Sequence, residues 1–200
     1  MLNNPFSFLF FPRRQWQKVA SASLGALRTS ALYTFVLAAL PCYAWYYGTT
    51  VTGWHLPGGS DLIYLSSDSA LKIIIAFYCA IILSLWGIGY AIHWMAGTYG
   101  SITTFTKGYA VAAYGATPLF IAGLVGFYPL LWLDLSIGVL AVAWAVYLLY
   151  SGLPVVMNIP TERGFLYASA VLGVCMVFLM VMMGATVVLW NFGFMPEFMD

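Results

Sequence analysis

Between Lys107 and Asp134 the chain runs for 26 residues without a formal charge, GYAVAAYGATPLFIAGLVGFYPLLWL. A bilayer core about 30 Å thick is crossed by about 20 apolar residues in one helix. The stretch holds one such helix, a tight turn at Tyr128-Pro129 and the start of the next. Folding it in water would need a large core with a charged surface around it. The chain has no such surface: 63% of its residues are hydrophobic and 6% charged, against roughly 25% charged in soluble domains. Lipid therefore takes the place of a core. Because an unpaired backbone group is costly in hydrocarbon, helices are the expected crossing elements. The fold class is an all-α integral membrane protein.

Further apolar runs extend this to five spanning helices, at about residues 31–47, 71–94, 108–127, 130 or 134 to 150, and 164–190. They divide the chain into an N-terminal segment (1–29), a transmembrane domain (30–190) and a short tail (191–200). Tyr43, Trp45, Tyr46 and Tyr47 form an aromatic belt at the end of the first span, as expected where lipid meets water. The next loop turns at Pro57-Gly58-Gly59, and Ser67 or Asp68 is placed to cap the second helix. Lys72, in the first turn of that helix, has the reach to snorkel outward. Residues 151–163 are expected to be a connection.

Before the first span, Pro12 suits the first position of a helix. Trp16, Val19, Leu24 and Leu27 then recur on one side, with Arg13, Arg14, Gln17 and Lys18 on the other. This pattern predicts an amphipathic helix lying in the membrane surface with its cations toward headgroups. The plainer alternative is a basic tail beside the membrane. Cleavage as a signal peptide is not expected. The Ala-Leu-Pro-Cys run at 39–42 has proline directly before the cysteine, and the apolar run continues past it.

The cations fix a threading. Arg13, Arg14, Lys18 and Arg28 precede the first span, and Lys107 and Arg163 fall in the second and fourth connections. Five spans put all six on one side and leave only Lys72 on the other. The positive-inside rule then makes the N-terminus cytoplasmic and the C-terminus external.

Several residues carry a functional reading beside a structural one. Pro118 interrupts the third helix and frees the carbonyl of Tyr114, four residues back, which Thr117 and neighbouring helices must satisfy. Tyr114, Thr117, Pro118 and Asp134 are candidates to line a path through the membrane; a packing kink and a helix-start acid are the alternatives. Gly108, Ala112 and Ala116 form a small-residue stripe for close helix approach, and Gly173 and Gly184 share a face of the last helix. Arg13, Arg14, Trp16, Lys18, His93 and Lys107 are the candidate contacts to lipid or to a partner. For His93 an interfacial anchor is the simpler role. Lys107 either binds anionic headgroups or sets topology.

No catalytic constellation emerges. An aspartyl protease in the bilayer needs two facing carboxylates, and Asp134 stands alone. No glycine-rich phosphate loop or His-Glu zinc motif is present in the sequence. Cys42, Cys79 and Cys175 are far apart and read as small hydrophobes rather than metal ligands. Met176, Met180 and Met183 near Cys175 read as apolar filler rather than a copper site. No metal and no cofactor is expected. A net charge of +1 leaves no footprint for nucleic acid.

Residues 114–133, YGATPLFIAGLVGFYPLLWL, followed by YLLYSGLPVVMNI at 147–159 and preceded by FPRRQWQK at 11–18, carry a likeness to a known family. The chain resembles the YIP-domain (Ypt/Rab-interacting) proteins, in particular their small bacterial inner-membrane branch. The likeness runs from Phe8 to Trp190. It implies five spans, a cytoplasmic N-terminus and an inner-membrane location. Eukaryotic members engage small GTPases through a long cytosolic N-terminal region; only 29 residues precede the first span here, so that role does not carry over. The resemblance implies no catalytic residue. The expected function is non-enzymatic organisation of lipids or membrane partners. The alternatives are a small carrier or channel acting as a homo-oligomer, and an accessory subunit of a larger membrane complex.

Overall fold

A computed structural model describes residues 5–55 and 61–199; the Pro57-Gly58-Gly59 turn and the side chains of Leu24 and Arg28 lie outside the described part. The chain enters through two short helices, α1 (Pro5–Phe10) and α2 (Pro12–Ser21). The long helices follow: α3 (Leu24–Tyr47), α4 (Ser67–Met95), a broken pair α5 (Phe105–Gly115) and α6 (Thr117–Ala122), α7 (Leu131–Met157) and α8 (Thr161–Leu189). Among the described residues, four segments are long and apolar enough to cross a membrane: Ser67–Tyr99, Phe105–Phe127, Leu131–Met157 and Thr161–Phe194.

The α5–α6 segment is the centre. In its most apolar stretch 56% of residues are buried, against 6% for the α4 and α8 segments. The outer helices turn residues such as Leu83, Leu140 and Leu179 outward, where lipid would meet them. The close approach of α4 to α5 rests on two glycines. A Cβ at Gly89 would lie 2.8 Å from Tyr109 Cα, and one at Gly108 would press on the Gly89 carbonyl. The Gly108 end of the small-residue stripe is therefore used as the sequence suggests. Gly173 and Gly184, by contrast, have nothing within reach of an added Cβ.

Element boundaries differ from expectation in three places. The cap of α4 is Ser66, whose Oγ accepts from the Ser69 amide, rather than Ser67 or Asp68. Helix α3 begins at Leu24, seven residues before the expected span. Helix α7 does not stop at Tyr150 but continues through Pro154 to Met157. Its apolar face keeps burying Leu153, Val156 and Met157, which offsets the one hydrogen bond the proline removes. Asn158, in the left-handed conformation, ends the helix.

An all-helical fold also omits a small sheet. β1 (Trp54–His55), β2 (Leu62–Leu65) and β3 (Phe198–Met199) pair antiparallel in that order. The tail is thereby tied to the first loop. Glu197 O accepts from the Ser66 amide at 2.8 Å, and Ser69 Oγ donates to Met195 O at 3.2 Å. Thr52 Oγ1 donates to Phe127 O at 3.0 Å, so the 123–130 turn lies at this end too. At the opposite end, Ser101 Oγ donates to Met157 O at 2.8 Å, joining the connection after α4 to the one after α7.

Candidate functional site

The α2 helix has the two faces its sequence encodes. Gln15, Trp16 and Val19 are buried; Arg13, Arg14, Gln17 and Lys18 are exposed. What covers the apolar face is protein, not lipid: α2 packs on α7. Trp16 is fully buried, edge-on to Phe8 at 5.1 Å between ring centroids. A Cβ added to Gly152 of α7 would fall inside the Trp16 indole. Trp16, a candidate lipid or partner contact from the sequence, thus sits inside the fold, its ring seated in the notch that Gly152 leaves. The three cations remain outside, on a helix whose other side is fixed.

The remaining basic-end residues gather loosely. Lys107 is half-buried in the first turn of α5. That turn meets α4 close to His93, since a Cβ at Gly108 would lie 3.2 Å from the His93 backbone nitrogen. The His93 ring is half-buried, with Nδ1 buried and unpaired. Arg163, placed in a connection by the sequence, stands exposed in the first turn of α8, with its guanidinium over Gly100. Tyr99 stacks on Tyr167 at 4.7 Å, and the Tyr167 hydroxyl donates to the Ile92 carbonyl, closing this end of the bundle.

The helix break is the second feature. Helix α5 stops at Gly115 and α6 restarts at Thr117, with the Leu119 and Phe120 amides both donating to Ala116 O. Thr117 Oγ1 donates to the Tyr114 carbonyl at 2.7 Å, the acceptor that Pro118 leaves free. That uses the only proton of Thr117, so Tyr33 is the donor in the 2.8 Å contact between its hydroxyl and Thr117 Oγ1. The Tyr114 ring is stacked on Phe8 at 4.7 Å and tilted against Tyr33 at 4.9 Å. Tyr114 and Thr117 are both 0% exposed and Pro118 is buried, so aromatic side chains fill the break.

Residues that the sequence sorts into separate groups thus meet through Phe8, which touches both Trp16 and Tyr114. Sequence reasoning missed Phe8 and Tyr33 as partners of the break. An aromatic cluster before a proline-broken helix was the available signal. Asp134 is not part of this cluster. It is half-buried in the first turn of α7 with one carboxylate oxygen buried and unpaired. From Asp134 to Gly152, where Trp16 packs, α7 rises about 27 Å at 1.5 Å per residue. Tyr114, Thr117 and Pro118 are brought together; Asp134 stands apart from them.

The cysteines are free, with Cys42 buried, Cys79 exposed and Cys175 half-buried. Among the described residues no group of three or more His, Cys, Asp or Glu side chains is placed to hold a metal ion.

Comparison with known proteins places this architecture. No solved structure matches the chain. The family model described as the Yip1 domain matches residues 6–183, which includes α2, the break and the Gly152 notch. The inner membrane protein YohC of Escherichia coli strain K12 is 35% identical over 162 residues, 81% of this chain and 83% of that protein. The YohC protein of Escherichia coli O6:H1 matches to the same extent. With a family model over most of its length and relatives at this identity, the chain belongs to the Yip1 domain family, as a multi-pass inner-membrane protein.

Proposed function

We propose that this protein is a non-catalytic organiser of the cytoplasmic lipid surface, crossing the membrane five times with its N-terminus inside and its C-terminus outside. The fifth crossing is α3. It is 24 residues long, about 36 Å at 1.5 Å per residue, and carries Leu32, Val36, Leu40 and Tyr43 outward. With α3 counted, the sheet and the 123–130 turn share the outer side. The N-terminal helices, the 96–104 connection and residues 158–160 share the inner side, which then holds every Lys and Arg except Lys72.

One observation carries the functional reading: Arg13, Arg14 and Lys18 are exposed on a helix locked to α7 by Trp16. A free tail would pay ordering entropy to present three charges together; a docked helix presents them already ordered. Each cation near an anionic surface contributes about 1 kcal/mol, so three favour anionic headgroups strongly over neutral ones.

The test uses the full chain in vesicles with spin-labelled phosphatidylglycerol or phosphatidylcholine. The fraction of label immobilised at the protein surface should be larger for phosphatidylglycerol. Replacing Arg13, Arg14 and Lys18 together with Gln should abolish that preference while leaving insertion unchanged. Equal immobilisation of the two lipids by the wild-type chain would refute the reading.

A further inference from the structure

The N-terminal pair α1–α2 is held against the bundle by two rings. Phe8 stacks on Tyr114 beside the helix break, and Trp16 fills the notch at Gly152 of α7. Both rings are fully buried. Tyr114 lies nine residues into α5, about 14 Å along the helix from its inner end at 1.5 Å per residue. Phe8 therefore reaches well below the inner surface of the bundle. Only Ala22 and Ser23 separate α2 from α3, so the pair is joined to the long helices by a short hinge.

Hydrogen bonding is incomplete along this seam and satisfied behind it. Among the described residues, Trp16 Nε1 and the Tyr114 hydroxyl are the two unpaired buried side-chain atoms that belong to residues with no exposure at all. They are carried by the two rings that flank Phe8. Behind them the Tyr33 hydroxyl donates to Thr117 Oγ1, and Thr117 Oγ1 donates to the Tyr114 carbonyl. Buried tryptophan and tyrosine donors ordinarily find an acceptor, and a donor left without one bears the cost of its desolvation. The docked arrangement thus carries a penalty located where α1–α2 meets the bundle, not within the break itself.

A second resting place removes both penalties in one motion. Helix α2 has the two faces of a surface helix, with Arg13, Arg14, Gln17 and Lys18 on one and Trp16 and Val19 on the other. Lying in the membrane surface it keeps its cations at the headgroups, and a tryptophan at that level finds partners for its N–H. Withdrawal of Phe8 uncovers the Tyr114 hydroxyl and, behind it, Tyr33 and Thr117. Non-helical backbone at membrane depth is tolerated where protein buries it or where it lines a water-filled cavity. Docked α1 meets the first condition, and its release meets the second.

We propose that α1–α2 is a plug. Docked, which is the resting state, Phe8 and Trp16 seal the break between Gly115 and Thr117. Released onto the membrane surface, they open a water-filled vestibule lined by Tyr33, Tyr114 and Thr117 toward the side that carries the N-terminus. This goes beyond the lipid-surface role of the α2 cations and holds whether or not those cations prefer anionic lipid.

The experiment follows a single thiol. Thr117→Cys is introduced into the full chain with Cys42, Cys79 and Cys175 replaced by Ala. In vesicles, a charged thiol reagent that does not cross membranes is added from one side or the other. The side that holds the N-terminus is read in the same vesicles by trypsin cleavage after Arg13, Arg14 or Lys18. The thiol should react slowly in this chain. Phe8→Ala and, separately, Gly152→Leu should each speed the reaction at least about fivefold, since losing a buried phenylalanine or overpacking a notch shifts the docked state by that ratio or more. The gain should appear from the N-terminal side alone. Thermal melts accompany each variant, and Trp16→Ala stands in where Gly152→Leu does not fold. Acceleration by Phe8→Ala alone would mean a hole beside Thr117 rather than a moving helix, and would overturn the proposal. Equal rates in all the chains, or reaction only from the opposite side, would overturn it as well.

Discussion

Pro118 has no amide proton to give, and the consequence is felt at one atom, the Tyr114 carbonyl. Because the proline fixes which carbonyl is freed, the identity of that atom and the local donor Thr117 were legible from the sequence. The second donor was not: Tyr33 is 84 positions away from Thr117, and no local pattern links them. Thr117→Val keeps the shape of the side chain but removes the donor. It should lower the stability of the detergent-solubilised protein by about 0.6 kcal/mol and by no more than about 1.7 kcal/mol, the mean and the upper value for hydrogen bonds between helices in a membrane protein. Thr117→Ser should restore most of that loss. Thermal melts of the three forms, with equal stability for Val and wild type as the contrary result, decide the point. Trp16 teaches the complementary lesson. Periodicity gave its face, but a side chain's partner in three dimensions is a property of packing, and Gly152 reads in the sequence only as a small residue.

At the scale of elements, long apolar helices were the most legible feature, since a bilayer sets their minimum length. Their ends were less so. Residues 151–157 look like a loop because of Ser151, Gly152 and Pro154, yet burial of Leu153, Val156 and Met157 holds them in helix. The two-residue strands were invisible, because a strand of that length has no period to detect. The docking of α2 on α7 makes a direct prediction. Gly152→Leu would force the Trp16 indole out of its notch, at a cost of about 1–3 kcal/mol for overpacking, and free α2 from the bundle. Trypsin should then cut after Arg13, Arg14 or Lys18 in the folded variant much faster than in the wild type. Equal cleavage rates would mean that Trp16 does not hold the helix.

For the whole molecule, hydrogen bonds gather the first loop, the 123–130 turn and the tail at one end, and the 96–104 connection and Met157 at the other; the proposed threading puts the first group outside. A paired substitution tests the outer group. Tyr64 and Met199 are directly opposed in the β2–β3 ladder, and Cα atoms so paired lie within the separation a disulfide spans. The double variant Tyr64→Cys, Met199→Cys should oxidise in living cells without added oxidant, because disulfides persist on the external side of the inner membrane and are rare in the cytosol. A gel under non-reducing conditions would show the faster-moving, cross-linked form; its absence would place the tail inside or apart from the loop. The sheet also orders events in time. Its first two strands precede the four long apolar segments in the chain, and its third follows the last of them. Leu65 meets Phe198 only if both end on one side of the bilayer once the four segments between them are placed, so this small cap is the last contact of the chain to close.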